Sequence, residues 1–155
     1  MRLESRWAID LYAVRRSHPK SAIPRDSLMV RQRESDAMTS RDLYERGRRE
    51  LADRNFAAAF ETLARSAQMQ PHFKTFELAG ECLMEIKRYS DAVLYLAAAA
   101  GLVPKQSRCR FLLAKAFASM GNLRSEALAV VDECLALNPG YRVAIKLKET
   151  LESER

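Results

Sequence analysis

Histidines, cysteines and glycine-rich loops are the usual raw material of an active site or a metal centre, and their spacing in this chain argues against both. His18 and His72 each adjoin a proline and lack a Cys, His or Asp partner at ligand or triad spacing, so both read as surface residues. Cys82, Cys109 and Cys134 are widely spaced, odd in number and without a CxxC pair, which argues against a disulfide framework and a zinc site. Each lies among apolar neighbours (GECLM, RCRFLL, DECLAL), the setting of a small buried thiol in a reducing compartment, and this points to the cytoplasm. The glycines, Gly47, Gly80, Gly101, Gly121 and Gly140, are isolated and make no loop that could cradle a phosphate. No enzyme activity, metal or cofactor is expected. The chemistry left to the chain is recognition.

Charge narrows the kind of partner. Lys and Arg number 26 against 20 Asp and Glu, a net charge of +6 over 155 residues, and such an excess favours acidic partners. The basic residues are dispersed, and no dense basic run with interleaved aromatics occurs, so nucleic acid is not the expected partner. The local cluster Arg46, Arg48, Arg49 and Arg54 keeps a basic, nucleic-acid-binding solenoid as an alternative. No run is long and apolar enough to span a bilayer, since Tyr95 to Val103 is short. The N-terminal MRLESRWAIDLYAVRR carries acids and arginines through its apolar pattern, unlike the core of a signal peptide.

A recognition surface needs rigid elements beneath it. The stretch from Ser40 to Pro71 reads as two short amphipathic helices joined by a tight turn and closed by a proline, with variants from Phe73 to Pro104 and from Ser107 to Pro139. In the first unit Thr39 or Ser40 caps the leading helix, Asp42 lies in its first turn, and Leu43, Gly47 and Leu51 share one face. Asp53, Arg54 and Asn55 make the turn, and Phe56, Ala59, Phe60 and Leu63 line the second helix until Gln70 and Pro71 stop it. A mid-helix glycine such as Gly47 costs up to ~1 kcal/mol against alanine, so another helix is expected to approach there too closely for a side chain.

The second unit repeats the layout with Phe76, Ala79, Gly80 and Leu83, a turn at Lys87, Arg88 and Tyr89, then Ala92, Leu96, Ala99 and Pro104. The third has Leu113, Ala114 and Phe117, a turn at Gly121 and Asn122, then Ala127, Val131, Cys134 and Pro139, with one extra residue placed in the turn among Asn122 to Ser125. A period of about 34 residues marks a helix-turn-helix solenoid. After Pro139, Tyr141, Ile145, Leu147 and Leu151 mark a last helix whose other positions are mostly charged, the solvating cap that a solenoid needs.

These residues resemble the tetratricopeptide repeat. Gly47/Gly80/Ala114, Ala59/Ala92/Ala127, Leu63/Leu96/Val131, Ser66/Ala99/Cys134 and Pro71/Pro104/Pro139 occupy its equivalent positions, and Phe56 and Tyr89 fill its turn aromatic in two units. Arg46 stands where leucine is usual, Glu50 where an aromatic is usual, and Arg110 where the opening aromatic is usual. The resemblance implies an all-α fold, a right-handed superhelical stack of antiparallel helix pairs, with an N-terminal arm at 1–38, repeats at 39–71, 72–104 and 105–139, and a capping helix at 140–155. It also implies that the leading helices line a concave groove. By that resemblance the groove positions are Arg41, Tyr44, Arg48 and Leu51, then Lys74, Glu77, Glu81 and Met84, then Arg108, Phe111, Lys115 and Ala118.

The expected function is a non-enzymatic adaptor or scaffold that binds a peptide or helical segment carrying acidic and bulky apolar residues. The family members that grip the C-terminal carboxylate of heat-shock chaperones use Lys and Asn, then Asn, then Lys and Arg, where this chain has Tyr44, Arg48, Leu78, Arg108 and Leu112, so that activity is not expected. In plan the chain is similar to bacterial type III secretion chaperones for translocator proteins, which remain the alternative. The arm itself, with Leu3, Trp7, Leu11 and Val14 at i, i+4, i+8 and i+11, reads as an amphipathic helix followed by a linker from Pro19. It is expected to cap the first repeat, to pair two copies into a homodimer, or to place the linker around Ile23 in the groove.

Overall fold

The computed structural model describes residues 38–153, so the arm readings lie outside the described residues. Among these residues there are seven helices and no strand: α1 Ser40–Ala52, α2 Phe56–Met69, α3 Phe73–Glu85, α4 Tyr89–Leu102, α5 Ser107–Ser119, α6 Arg124–Leu137 and α7 Arg142–Ser153. Each packs on its neighbours in the chain, giving three antiparallel pairs and a closing helix.

Local sequence fixes where each helix stops. Thr39 caps α1 through a reciprocal box: its hydroxyl accepts from the Asp42 amide at 3.2 Å while its own amide donates to the Asp42 carboxylate at 2.9 Å. At the far end Arg54 takes a left-handed backbone (φ 60) and the Asn55 amide reaches back to the Glu50 carbonyl at 2.9 Å, the Schellman arrangement that closes a helix and reverses the chain. Lys87 (φ 60) and the Arg88 amide, bonded to the Leu83 carbonyl at 2.9 Å, repeat it between α3 and α4. Gly121 (φ 77) takes the left-handed position in the third unit. There the connection runs four residues, 120–123, against three in the other two, which is where the extra residue was expected. The second helices stop for a different reason. Gln70, Val103 and Asn138 each precede a proline, and the proline ring forces them out of the α region.

The core runs through the stack without interruption. Ala59, Leu63, Leu78, Ala79 and Cys82 form one cluster, and Leu83, Ala92, Leu96, Leu112 and Ala116 form the next. Phe60 and Tyr95 touch both clusters and meet each other edge to face with centroids 5.3 Å apart, tying α2 to α4. Cys82, Cys109 and Cys134 are free and buried, as their apolar neighbours indicated. The cap is less apolar than its sequence pattern suggested: Ala144 and Leu151 are the buried residues of α7, and Tyr141, Ile145 and Leu147 are half-buried.

Gly47 and Gly80 are small because the second helix of each pair leaves no room. A Cβ on Gly47 would lie 2.6 Å from Leu63 Cγ, and one on Gly80 would lie 2.6 Å from Leu96 Cγ. The third pair solves the same problem with Ala114 and Val131, both fully buried: a methyl added on one helix is matched by one carbon fewer opposite. Gly80→Ala is therefore expected to destabilise the fold by about 1–3 kcal/mol through overpacking, despite alanine's better helix propensity. Denaturant unfolding of Gly80→Ala, Leu96→Val and the double variant should show the double costing at least about 0.5 kcal/mol less than the sum of the singles, whereas simple additivity would mean the two side chains do not share space.

Candidate peptide-binding groove

The leading helices α1, α3 and α5 touch in sequence, and α5 touches α7, so these four line the inner side of the stack. Three positions in each of the first three helices face the same way, one helical turn apart, and their residue types form a pattern. The first has Arg41, Tyr44 and Arg48, the third has Arg108, Phe111 and Lys115, and between them stand Lys74, Glu77 and Glu81. A ring flanked by two cations thus appears at each end, and two carboxylates occupy the middle.

Glu77 is the hub of the middle. Its side chain is 0% exposed, unlike the displayed groove residue that its position implied. It accepts from Lys74 Nζ, from Arg108 Nε at 3.1 Å and, through its other oxygen, from Cys109 Sγ at 3.1 Å. Burial alone would push its carboxyl up, but the hydrogen bonds from Lys74, Cys109 and Arg108 outweigh burial and hold it below the ordinary glutamate range. Arg108 also reaches Glu81. One arginine on α5 therefore joins two carboxylates on α3, clamping the second repeat to the third. Burial, reinforced by the bond to Glu77, pushes the Cys109 thiol up to about 12, and burial pushes Cys82 up to about 12 as well. At pH 7 both are unreactive thiols.

The ends of the groove are arranged differently. Tyr44 is half-buried and packs on the first core cluster, so the packing uses this ring as well as displaying it. The Arg48 guanidinium lies over the ring, 5.8 Å from its centroid, and 3.4 Å from Glu45. Phe111 is braced edge to face by Tyr141 at 5.4 Å and packs on the second cluster beside Met84. Arg41 and Lys115 are exposed and make no ion pair among the described residues. Leu51, Met84 and Ala118 are half-buried along the same inner side. Of the five groove cations, Lys74 and Arg108 are thus occupied by the fold, while Arg41, Arg48 and Lys115 face outward.

Two departures from the repeat pattern prove to be one feature. Arg46 and Glu50 form an ion pair at 2.8 Å across one turn of α1, a spacing visible in the sequence. Arg110, in place of an aromatic, reaches the Pro104 carbonyl and Glu133 of α6, contacts for which the sequence gives no local signal. The small-residue positions Ser66 and Cys134 also act as clasps: each donates to the first-turn carbonyl of its leading helix, Ser40 at 2.7 Å and Ser107 at 3.2 Å. Ala99 has no group to do so.

Helix order, pairing, turn geometry and inner face define the fold of the tetratricopeptide repeat, with three helix pairs and a C-terminal capping helix. The first such domain of Spaghetti (RPAP3), bound to the HSP90 peptide SRMEEVD, is similar at a TM-score of 0.71 and 14% identity over 75% of this chain and 92% of that one. MamA is similar at 0.73 and 16% identity, over 78% of this chain and 71% of that one. The Yersinia enterocolitica type III secretion chaperone SycD, in complex with a peptide of the translocator YopD, is similar at 0.68 and 15% identity, over 74% of this chain and 92% of that one. At these identities the likeness is one of fold. Protein-family models and curated protein sequences give no match.

Two outcomes follow from the Glu77 hub. Glu77→Gln should lose about 1–2 kcal/mol at neutral pH, the lower part of the range for charge-assisted bonds because Lys74 and Arg108 are partly solvated. Since the folded state holds the carboxyl below its unfolded value of about 4.3, the stabilisation is fully present above that pH and is lost as pH falls through the depressed value. Unfolding curves of wild type and variant should therefore converge in acid; a gap that stays constant to pH 3 would show that the charge of Glu77 is not what stabilises. With the thiols, an aromatic disulfide reagent at pH 8 should label the native protein slowly and the denatured protein at all three cysteines; rapid native labelling would contradict their burial.

Proposed function

We propose that the protein is a non-enzymatic interaction module, an adaptor or scaffold, that holds an extended or helical segment of a partner protein against α1, α3 and α5. The carrying observation is the pair of rings with outward cations at the two ends of the inner side: Tyr44 beneath Arg48 and near Arg41, and Phe111 one turn from Lys115. Rings held by packing offer flat contact at little entropic cost, and the neighbouring cations favour carboxylates. Between them Glu77 and Glu81 are already paired, so a ligand meets little repulsion there. The segment that suits this surface carries bulky apolar residues with acids beside them. That similar folds take peptides, HSP90 SRMEEVD in RPAP3 and a YopD peptide in SycD, supports the reading.

The SycD likeness, together with the plan of an arm, repeats and a closing helix, supports a second reading of the same groove: a chaperone holding a translocator segment until secretion. Both readings place the protein in the cytoplasm and predict the same surface chemistry.

A random-peptide display selection on the full chain tests this. Enriched sequences should combine Asp or Glu with Leu, Phe or Trp, and should bind the Arg48→Glu/Lys115→Glu double variant at least about tenfold more weakly, a loss of about 1.4 kcal/mol. These positions are exposed, so the substitution spares the packing that Tyr44 or Phe111 replacement would disturb. Peptides that bind both proteins equally would remove the groove from the proposal.

A further inference from the structure

Five large apolar side chains are exposed among the described residues, and four of them stand at one edge of the stack: Met69 at 57%, Leu102 at 50%, Val143 at 46% and Leu137 at 42%. Antiparallel pairing brings the ends of α2, α4 and α6 and the starts of α1, α3, α5 and α7 together there. Met69, Leu102 and Leu137 each precede the proline of their repeat by two residues, and Val143 is the second residue of α7. Exposed apolar groups scattered singly need no account, but four on one edge do. Charge sorts the same way. The end turns and connections of this edge, residues 38–43, 66–76, 99–110 and 134–145, carry a single carboxylate, Asp42, which is tied to the Thr39 cap. Lys74, Arg108 and Arg110 are spent on Glu77, Glu81 and Glu133. Arg41, Lys105 and Arg142 are exposed and make no ion pair among the described residues, and the same holds for Arg65 and Lys146, one turn further in. At the opposite edge Arg54, Lys87 and Arg88 stand among Asp53, Glu85 and Asp91, and no large apolar side chain is exposed among the described residues there.

We propose that this edge is a docking face for an anionic lipid surface, with the four apolar side chains entering the acyl boundary and Arg65, Lys105, Arg142 and Lys146 lying against lipid phosphates. The chemistry of the edge selects this occupant. An apolar group with a cation beside it matches the two layers that such a surface presents, acyl chains beneath and phosphates above, and the long stems of lysine and arginine span both. Here Arg65 stands one turn behind Met69, Lys105 three residues after Leu102, and Arg142 next to Val143. Leu137 has Glu133 one turn behind it, a carboxylate already held by Arg110. The apolar groups are also set apart from each other, because α2, α4 and α6 pack on the leading helices rather than on one another. A folded partner would need a separate pocket for each helix end, whereas a fluid surface admits them independently. The contact is peripheral, since no helix among the described residues is long and apolar enough to cross a membrane. The peptide groove stays clear: Arg48 and Lys115 each lie eight residues into their helices, about 12 Å from this edge.

Co-sedimentation of the full chain with vesicles tests this. Phosphatidylcholine vesicles containing about a third phosphatidylglycerol should retain the protein at least about tenfold better than phosphatidylcholine alone, and added salt should weaken the retention. Lys105→Glu/Arg142→Glu should reduce binding to the anionic vesicles at least about tenfold with helical circular dichroism unchanged. The uncharged variant Met69→Ser/Leu102→Ser/Leu137→Ser should reduce it as well, through loss of the apolar contact alone. Arg48→Glu/Lys115→Glu changes the net charge by the same amount as the charged edge variant and should leave binding within about twofold of wild type. The proposal is overturned if anionic vesicles do not retain the wild type, or if retention survives both edge variants. It is also overturned if the groove variant weakens retention as much as the charged edge variant, which makes the attraction one of net charge alone. If neither vesicle retains the protein and light scattering gives a dimer that the Met69/Leu102/Leu137 variant dissolves, the occupant of the edge is a second copy and the lipid proposal falls.

Discussion

The stack depends on how closely its paired helices can approach. Leu63 and Leu96 press into the spaces over Gly47 and Gly80, and this contact sets the distance between the helices of a pair, hence where every other side chain on them falls. Core interiors are packed to near-crystalline density, so the contact transmits rather than absorbs changes in volume. With the pair spacing fixed, the Schellman turns set its angle, the prolines set where the next pair starts, and Phe60 and Tyr95 join one pair to the next. The inner surface is a consequence of these constraints.

Electrostatics then divides that surface in two. In the middle the fold consumes its own charge: Glu77 is sealed by Lys74, Arg108 and Cys109, and Glu81 shares Arg108. At the ends, cations stand beside rings that the core holds still. A buried carboxylate with three donors stays ionised where an unpaired one would not, and in doing so it joins two repeats at a position where the other leading helices carry an aromatic. The same register position thus holds a buried link between repeats in one helix and a half-buried ring in the two that flank it.

The fold was legible because its determinants are local and periodic. Gly47 and Gly80 announced a close contact by being in mid-helix, Pro71, Pro104 and Pro139 announced the helix ends, and the shifted Gly121 announced a longer turn; all three signals correspond to features of the structure. Which residues share the inner face of the leading helices was legible from periodicity, but what the fold does with each of them was not. Periodicity places Glu77 on the inner side yet says nothing of the Arg108 side chain arriving from 31 residues away, and a residue surrounded by its own partners loses its surface. Tyr44 is a similar case: its groove position gave no sign that its ring also packs against the first core cluster. Long-range side-chain geometry leaves no periodic trace, and Arg110 with its reach to Glu133 is the clearest case.

The Arg46 and Glu50 pair carries a consequence for descent. The dependence runs one way: Arg46, 55% exposed, is solvated with or without its partner, whereas Glu50, 17% exposed, would be a partly buried carboxylate without Arg46. Replacing Glu50 first therefore leaves a harmless surface arginine, while replacing Arg46 first strands a carboxylate, so the order of the two changes decides whether stability is lost on the way.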